Sequence, residues 1–205
     1  MRRATARERT GTPADLLVVG LGNPGSEYEK TRHNVGVDVI ELLAQRYGAR
    51  LKKSKERALT DEIRIGEARV ALAVPLTYMN ESGEAVGPLV RRYGVAPEQV
   101  LIVHDELDLP VGALKLKEGG GLAGHNGLRS IKAHLKTEDF LRIRIGIGKP
   151  NSKEQGADHV LNRFGKRERS EIDAAVGTAA DAVECVAREG IGTAMNRYNE
   201  ARGSA

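Results

Sequence analysis

The sequence is poor in aromatic residues and in cysteine. Its 205 residues include no tryptophan, two phenylalanines and a single cysteine, Cys185. One cysteine can form neither an internal disulfide nor a metal site built from cysteines, so we expect a protein of the reducing cytoplasm. Aromatic residues make up 3% of the chain, which leaves few side chains for stacking on nucleic-acid bases. An RNA partner would therefore be held by its backbone and its ends.

Long apolar runs are also absent. No stretch approaches the roughly 20 apolar residues that a membrane-spanning helix needs, so we expect no membrane association. The first 15 residues, MRRATARERTGTPAD, are rich in arginine and lack the apolar segment of a secretory signal. We expect a disordered N-terminal extension over residues 1–15 and a single domain over residues 16–205.

Positive charge is in slight excess, with a formal net charge of +4. Residues 1–14 contain four arginines and one glutamate, a net +3, so the rest of the chain is nearly neutral. A polyanion would therefore have to meet a local patch, although such clusters are more often solvated surface. The candidates are Arg50, Lys52, Lys53, Lys55 and Arg57, then Lys115 and Lys117, then Arg142 and Arg144.

Hydrophobic periodicity predicts an α/β protein. Apolar runs indicate strands over residues 16–19, 60–65, 69–74, 100–103, 113–117 and 141–147. Helical spacing indicates helices over residues 35–47, 82–93, 127–135, 167–188 and 191–199. Alternation of the two favours helices layered on a sheet, and the close strand pair within residues 60–74 adds an antiparallel element. We predict a single domain with a twisted mixed β-sheet flanked by helices.

The stretch VVGLGNPG at residues 18–25 has the glycine spacing of a dinucleotide-binding turn. In that motif a helix begins within the glycines and a later acidic residue holds the ribose. Here Pro24 and a polar stretch follow, helical spacing begins only near Val35, and the segment after the helix is RLKKSKER. The context argues against a nicotinamide cofactor, and the turn needs another explanation.

Polar residues cluster where the predicted strands end. Asn23, the group Tyr78-Met79-Asn80, the pair His104-Asp105 and the pair His125-Asn126 all follow a strand or a glycine run, and His33-Asn34 precede a helix. Taken singly, each asparagine can also be explained as a residue that caps a helix. Together, His, Asp and carboxamides suit activation of a water molecule. The sequence has no G-x-S-x-G, no H-E-x-x-H and no metal-ligand spacing, so we expect neither metal nor cofactor.

The chain resembles the bacterial-type peptidyl-tRNA hydrolases. The matching segments are VVGLGNPGSEYEKTRHNVG, PLTYMNESGEAV, VHDELDLPVGALKLKEGGGLAGHNGLRSI and FLRIRIGIGKP. The resemblance implies cleavage of the ester between a peptide and the 3′ end of tRNA, without cofactor, by a monomer whose partner is peptidyl-tRNA. An alternative is a fold relative that binds structured RNA without cleaving it.

The resemblance also implies roles for individual residues. His33 is expected to be the general base, Asp105 to fix its tautomer, and Asn23, Asn80 and Asn126 to line the peptide and ester site. Tyr28, Met79 and His125 are expected to shape the pocket, and Lys117 and Arg144 to hold tRNA phosphate. Core packing remains the alternative for Met79, helix capping for Asn80, and ordinary strand charge for the two cations. His104, His134 and His159 are expected to be structural or exposed.

Overall fold

A computed structural model describes residues 12–150, 152 and 155–199 of the chain. These residues form one mixed seven-stranded sheet with helices on both faces, as predicted. The strands are β1 (Leu16–Gly20), β2 (Lys52–Lys53), β3 (Ala58–Ile65), β4 (Ala68–Pro75), β5 (Val100–Glu106), β6 (Leu114–Glu118) and β7 (Leu141–Gly146). The helices are α1 (Val35–Arg46), α2 (Ser82–Tyr93), α3 (Asn126–Leu135), α4 (Gly156–Leu161), α5 (Lys166–Glu189) and α6 (Ile191–Asn199).

The strand order brings four parallel strand ends to one edge of the sheet. The order is β2-β3-β4-β1-β5-β7-β6, in which β4, β1, β5 and β7 run parallel. The strands β2 and β3 at one side and β6 at the other are antiparallel to their neighbours. The loops that follow β1, β4 and β5 therefore meet at the carboxyl edge, where ligands of open α/β sheets bind.

The central strand β1 is buried on both faces, which explains its continuous apolar sequence. Leu16 and Val18 belong to the half of the core that includes residues of α1 and α5. Leu17 and Val19 belong to the half that includes residues of α2 and α3. Two apolar layers thus hold the sheet between helices, and the edge that carries the strand-end loops remains open.

Glycines in the first turn allow α1 to lie directly against β1. A Cβ on Gly20 would stand 2.2 Å from the carbonyl oxygen of Gly36, and one on Gly36 would stand 2.2 Å from the carbonyl oxygen of Val103. Only residues without a side chain permit this approach. The turn is therefore explained by packing, and α1 begins at Val35, well after the glycine motif.

Two short elements have no counterpart in the sequence prediction. β2 has two residues and α4 has six, too few to give a recognisable periodicity. Within the described part of the chain, no helix is both long and apolar enough to cross a membrane.

The last residues of the expected N-terminal extension contact the domain. Ala14 is buried and its N–H donates to the carbonyl oxygen of Tyr93 at 2.9 Å. Asp15 exchanges two hydrogen bonds with the backbone of Arg69, at 2.7 and 2.8 Å. The rest of the expected extension, residues 1–11, lies outside the described residues.

Candidate active site

A cleft of about 220 Å³ opens at the carboxyl edge of the sheet. Its walls come from the loop before α1, the end of β5, the glycine-rich loop with the start of α3, and α4. The residues lining it include His33, Asp105, Glu106, His125, Asn126 and Val160. Four of the residues predicted for the site, His33, Asp105, His125 and Asn126, are thus brought together.

Two imidazoles share one carboxylate oxygen at the floor of this cleft. The Oδ1 atom of Asp105 lies 2.8 Å from Nδ1 of His33 and 3.0 Å from Nε2 of His125. The Asp105 side chain is 3% exposed and that of His33 is 12% exposed. The carboxylate is therefore shielded from water while the His33 ring still reaches the cleft.

The hydrogen bonds determine which nitrogen of each ring carries a proton. Nδ1 of His125 accepts from the N–H groups of Gly127 and Leu128, at 3.2 and 3.4 Å, so its Nε2 carries the proton given to Asp105. Nδ1 of His33 likewise donates to Asp105, which leaves Nε2 of His33 with a free lone pair. Of the two rings that share Asp105, that of His33 is therefore the one with a nitrogen left to accept a proton.

The two neighbouring histidines keep Asp105 ionised. Burial alone would raise the pKa of Asp105, but the nearby His33 and His125 and their hydrogen bonds hold it far below its usual range. Burial alone would lower the pKa of His33, whereas the charge of Asp105 and its hydrogen bond raise it above the usual value. The carboxylate thus strengthens His33 as a proton acceptor.

His104 lies beneath this arrangement, as a structural residue. Its ring contacts that of His125 edge-on, with centroids 4.8 Å apart, and its Nδ1 donates to the carbonyl oxygen of Asp105 at 2.6 Å. Burial, followed by the nearby His125, places the pKa of His104 well below its usual value. The ring is therefore neutral and supports the backbone at Asp105.

Asn34 holds Asn23 in place by two hydrogen bonds. Its Oδ1 accepts from the N–H of Asn23 and its Nδ2 donates to the carbonyl oxygen of Asn23, both at 2.9 Å. The side-chain Oδ1 of Asn23 accepts from the N–H of Met79 at 2.8 Å. Since that oxygen is engaged, the Nδ2 group of Asn23 remains as a donor for a ligand.

The segment after β4 extends the site beyond the cleft. Met79 is buried and makes the contact with Asn23, whereas Asn80 is exposed. Tyr78 is 54% exposed and its ring meets that of Tyr28 edge-on, with centroids 6.5 Å apart. Met79 therefore adjoins Asn23, and Tyr28 meets the same segment through Tyr78. The residues that line the His33 cleft include none of Asn23, Tyr28, Met79 and Asn80.

The cations of β6 and β7 are less available than their sequence indicates. Arg142 is 1% exposed and donates to the carbonyl oxygens of Gly119, Gly120 and Gly121 in the glycine-rich loop. Arg144 is paired with Glu106, with nitrogen to oxygen distances of 2.9 and 3.0 Å. Arg142 is therefore not part of the surface patch proposed from the sequence. Lys117, by contrast, is partly exposed.

The sequence reasoning missed the structural roles of Asn34, Arg142 and Arg32. Arg32, the neighbour of His33, is buried and contacts residues 162–168. Asn34 directly precedes α1, at the position of a capping residue, yet its side chain makes no capping hydrogen bond to the helix. For Arg32 and Asn34, the signal in the sequence is the unbroken polar run TRHN ahead of an apolar helix, since a simple turn does not require four consecutive polar residues.

One possible metal-ligand atom from each of His33, Asp105 and His125 lies within 4.8 Å of the other two, which is close enough to suggest a metal site. The two contacts to Asp105 are 2.8 and 3.0 Å. Ligands of a tetrahedral zinc ion, at about 2.0–2.1 Å from the metal, lie roughly 3.3 Å apart. The spacing in this cluster is that of direct hydrogen bonds.

Comparisons with known proteins place the chain in a family. The family model described as peptidyl-tRNA hydrolase matches residues 17–205. A peptidyl-tRNA hydrolase of Nocardia farcinica is 53% identical over 186 residues, which are 89% of this chain and 95% of that protein. One from Frankia alni is 47% identical over 193 residues, 93% of this chain and 98% of that protein.

A solved structure shows the same architecture. The crystal structure of peptidyl-tRNA hydrolase from Acinetobacter baumannii superposes with a TM-score of 0.87 at 44% identity, covering 93% of this chain and 98% of that one. Together with the family model and these relatives, the shared α/β fold identifies the chain as a hydrolase. With a family model matched over nearly its whole length, the chain belongs to the peptidyl-tRNA hydrolase family.

Proposed function

We propose that this chain hydrolyses the ester between the peptide and the tRNA of peptidyl-tRNA, and that His33 activates the attacking water. The observation that carries the mechanism is the single shared oxygen of Asp105, which orients both imidazoles and leaves a lone pair only on Nε2 of His33. A silent RNA-binding relative would have no chemical use for this arrangement.

The proposed reaction has two steps, addition of water and departure of the tRNA. Water attacks the ester carbonyl carbon and gives a proton to Nε2 of His33, whose positive charge Asp105 stabilises. The tetrahedral intermediate collapses with cleavage of the bond to the 3′ oxygen of the terminal ribose. His33 returns the proton to that oxygen, which releases tRNA and the peptide acid. The Nδ2 groups of Asn23 and Asn126 supply hydrogen bonds to the developing oxyanion.

Substrate recognition is assigned to the surrounding polar groups. Carboxamides of Asn80 and Asn126 both donate and accept, so they can bind a peptide backbone without reading its side chains. Tyr28 and Met79 form walls beside them. Lys117 and Arg144 lie on the β6–β7 side, where they would meet phosphate of the acceptor end.

We further propose that the protein acts on tRNA in the cytoplasm as a monomer. The support is that His33, Asp105 and the carboxamides around them all come from one chain. Its single cysteine is consistent with a reducing compartment.

The direct test is incubation of the purified protein with an N-acetylaminoacyl-tRNA. We expect release of the N-acetylamino acid, undiminished by EDTA. Free aminoacyl-tRNA in a parallel reaction is the control for peptide recognition, and hydroxylamine should trap no acyl-enzyme. Absence of release would contradict the proposed activity, while EDTA inhibition reversed by added metal would contradict the proposed chemistry.

A further inference from the structure

Arg32 directs its side chain away from the cleft, although it immediately precedes His33. Its guanidinium reaches the connection between α4 and α5, where Nη1 donates to the carbonyl oxygens of Asn162 at 3.2 Å and Arg163 at 2.8 Å. Its Nη2 donates to Oε2 of Glu168 at 2.8 Å. The same group lies 4.9 Å from the ring centroid of Phe164. The Arg32 side chain thus contacts four residues of a single segment, residues 162–168.

Backbone contacts reinforce this attachment. The N–H of Arg32 donates to the carbonyl oxygen of Asn162 at 3.1 Å, and Thr31 forms an isolated antiparallel bridge with Arg163. Glu168 also accepts from the N–H of Gly165 at 2.8 Å, at the start of α5. The ion pair with Arg32 is therefore anchored to the helix that supports the α4–α5 connection.

The two residues that flank His33 in the chain, Arg32 and Asn34, are therefore both held by hydrogen bonds to other parts of the domain. Asn34 ties one side of the turn to the loop after β1, through Asn23. Arg32 ties the other side to the segment that continues from α4, and the α4 residues Gly156, Ala157 and Val160 line the same cleft as His33. The position of the imidazole relative to that wall depends on both anchors.

We propose that Arg32 is a positioning residue, which holds the backbone of His33 at the separation from α4 that the reaction requires. This inference rests on the proposed role of His33 as the base. Arg32 does not touch the substrate. It acts by keeping Nε2 of His33 within reach of the attacking water, so its loss lowers kcat more than it raises KM.

The test compares Arg32→Ala with Arg46→Ala. Arg46 is the matched control because it also joins an element of the first half of the chain to acidic residues of α5, Asp181 and Glu184, but at the far end of α1. For Arg32→Ala we expect kcat to fall about 10- to 100-fold, with KM changed less than about threefold. For Arg46→Ala we expect kcat within about twofold of the wild type.

Chemical rescue separates positioning from a general loss of stability. Guanidinium ion at millimolar concentration, far below the molar range that unfolds domains, should restore several-fold of the kcat of Arg32→Ala and nothing to Arg46→Ala. Absence of rescue, a kcat of Arg32→Ala within twofold of the wild type, or an equal loss in Arg46→Ala would each overturn the proposal.

A conservative variant covers the case in which Arg32→Ala does not fold. Arg32→Lys keeps a charge beside Glu168 but lacks the planar fork that reaches two carbonyls and stacks on Phe164. We expect a several-fold loss of kcat with little change in Tm, and an unchanged kcat would overturn the proposal. His33→Ala in the same assay keeps the two hypotheses distinct. Normal turnover there would refute the base and, with it, the proposal for Arg32, whereas a large loss there with wild-type kcat in Arg32→Ala would refute the proposal for Arg32 alone.

Discussion

The cleft side of this sheet edge and the β6–β7 side, which lies outside the cleft lining, are built from different interactions. On the side of β1 and the loop before α1, Asn23, Asn34, His33 and Asp105 are connected by short hydrogen bonds that determine which atom of each group remains free. On the side of β6 and β7, the polar groups are cations, of which Arg144 is neutralised by Glu106. The first side therefore depends on the placement of hydrogen-bonding atoms, and the second depends on electrostatic attraction.

This difference indicates a division of labour. A network of short, buried hydrogen bonds places atoms closely and is worth most where a bond is made and broken. Charges near the surface attract a phosphate backbone over a longer range and tolerate inexact placement, but they are screened by salt. We therefore expect changes on the first side to affect kcat and changes on the second to affect KM and its dependence on salt.

The largest expected effect comes from His33→Ala. Removal of the general base should reduce kcat by about 10²- to 10⁴-fold, because no other imidazole in the cleft has a free lone pair. Affinity for uncleaved tRNA, measured by filter binding, should stay near that of the wild type. A near-normal kcat would place the chemistry on another residue.

Asp105→Asn should have a smaller effect, about 100-fold, because the imidazole remains while its tautomer and orientation are no longer enforced. The carboxylate raises the pKa of His33, and kcat/KM of the wild type should fall as pH drops through that raised pKa. Without the negative charge the pKa of His33 falls, so the acid limb should move to lower pH. Profiles of kcat/KM against pH for both proteins would reveal the shift, and coincident limbs would argue against coupling of the pair.

Asn80→Ala tests recognition of the peptide. Because Asn80 is exposed, a hydrogen bond from it to a bound peptide contributes about 0.5–1.5 kcal/mol, so the preference for acetylated over free aminoacyl-tRNA should drop by roughly 2- to 12-fold. The measurement is kcat/KM for both substrates in wild type and variant. Equal discrimination in the two proteins would argue against a role of Asn80 in peptide recognition.

Lys117→Ala and Arg144→Ala should have the smallest effects, and unequal ones. Lys117 is partly exposed, whereas Arg144 already has a carboxylate partner. We expect the larger increase in KM for Lys117→Ala, with the slope of log affinity against log salt reduced by up to about 1. Unchanged KM and slope in both variants would remove this edge from the tRNA surface.

The sequence contained enough information to predict most of the fold and the centre of the site. Long apolar strands and amphipathic helices are recognised by their periods, and polar residues at strand ends are expected to meet at one edge of a parallel sheet. The hydrogen bond between His33 and Asp105 joins residues 72 positions apart, and it was anticipated only because both belong to motifs that resemble a known family.

Other contacts could not be read from the sequence. Arg142 and Arg144 have the same chemistry and lie two residues apart, yet one is buried against carbonyl oxygens of the glycine-rich loop and the other pairs with Glu106. Their environments depend on loops that carry no periodic signal. The same reason hides α4, whose six residues are too short for a pattern.

The attachment of Arg32 to residues 162–168 also has a consequence for how the enzyme matures. The partners of Arg32 are 130 to 136 positions away, so the ribosome adds them long after Arg32. Contacts of such long separation form late, because the chain between them must first be ordered. A growing chain can therefore bury β1, β4 and β5 before the turn that carries His33 has been anchored. From the proposed role of Arg32 we expect full turnover only once α5 has been made.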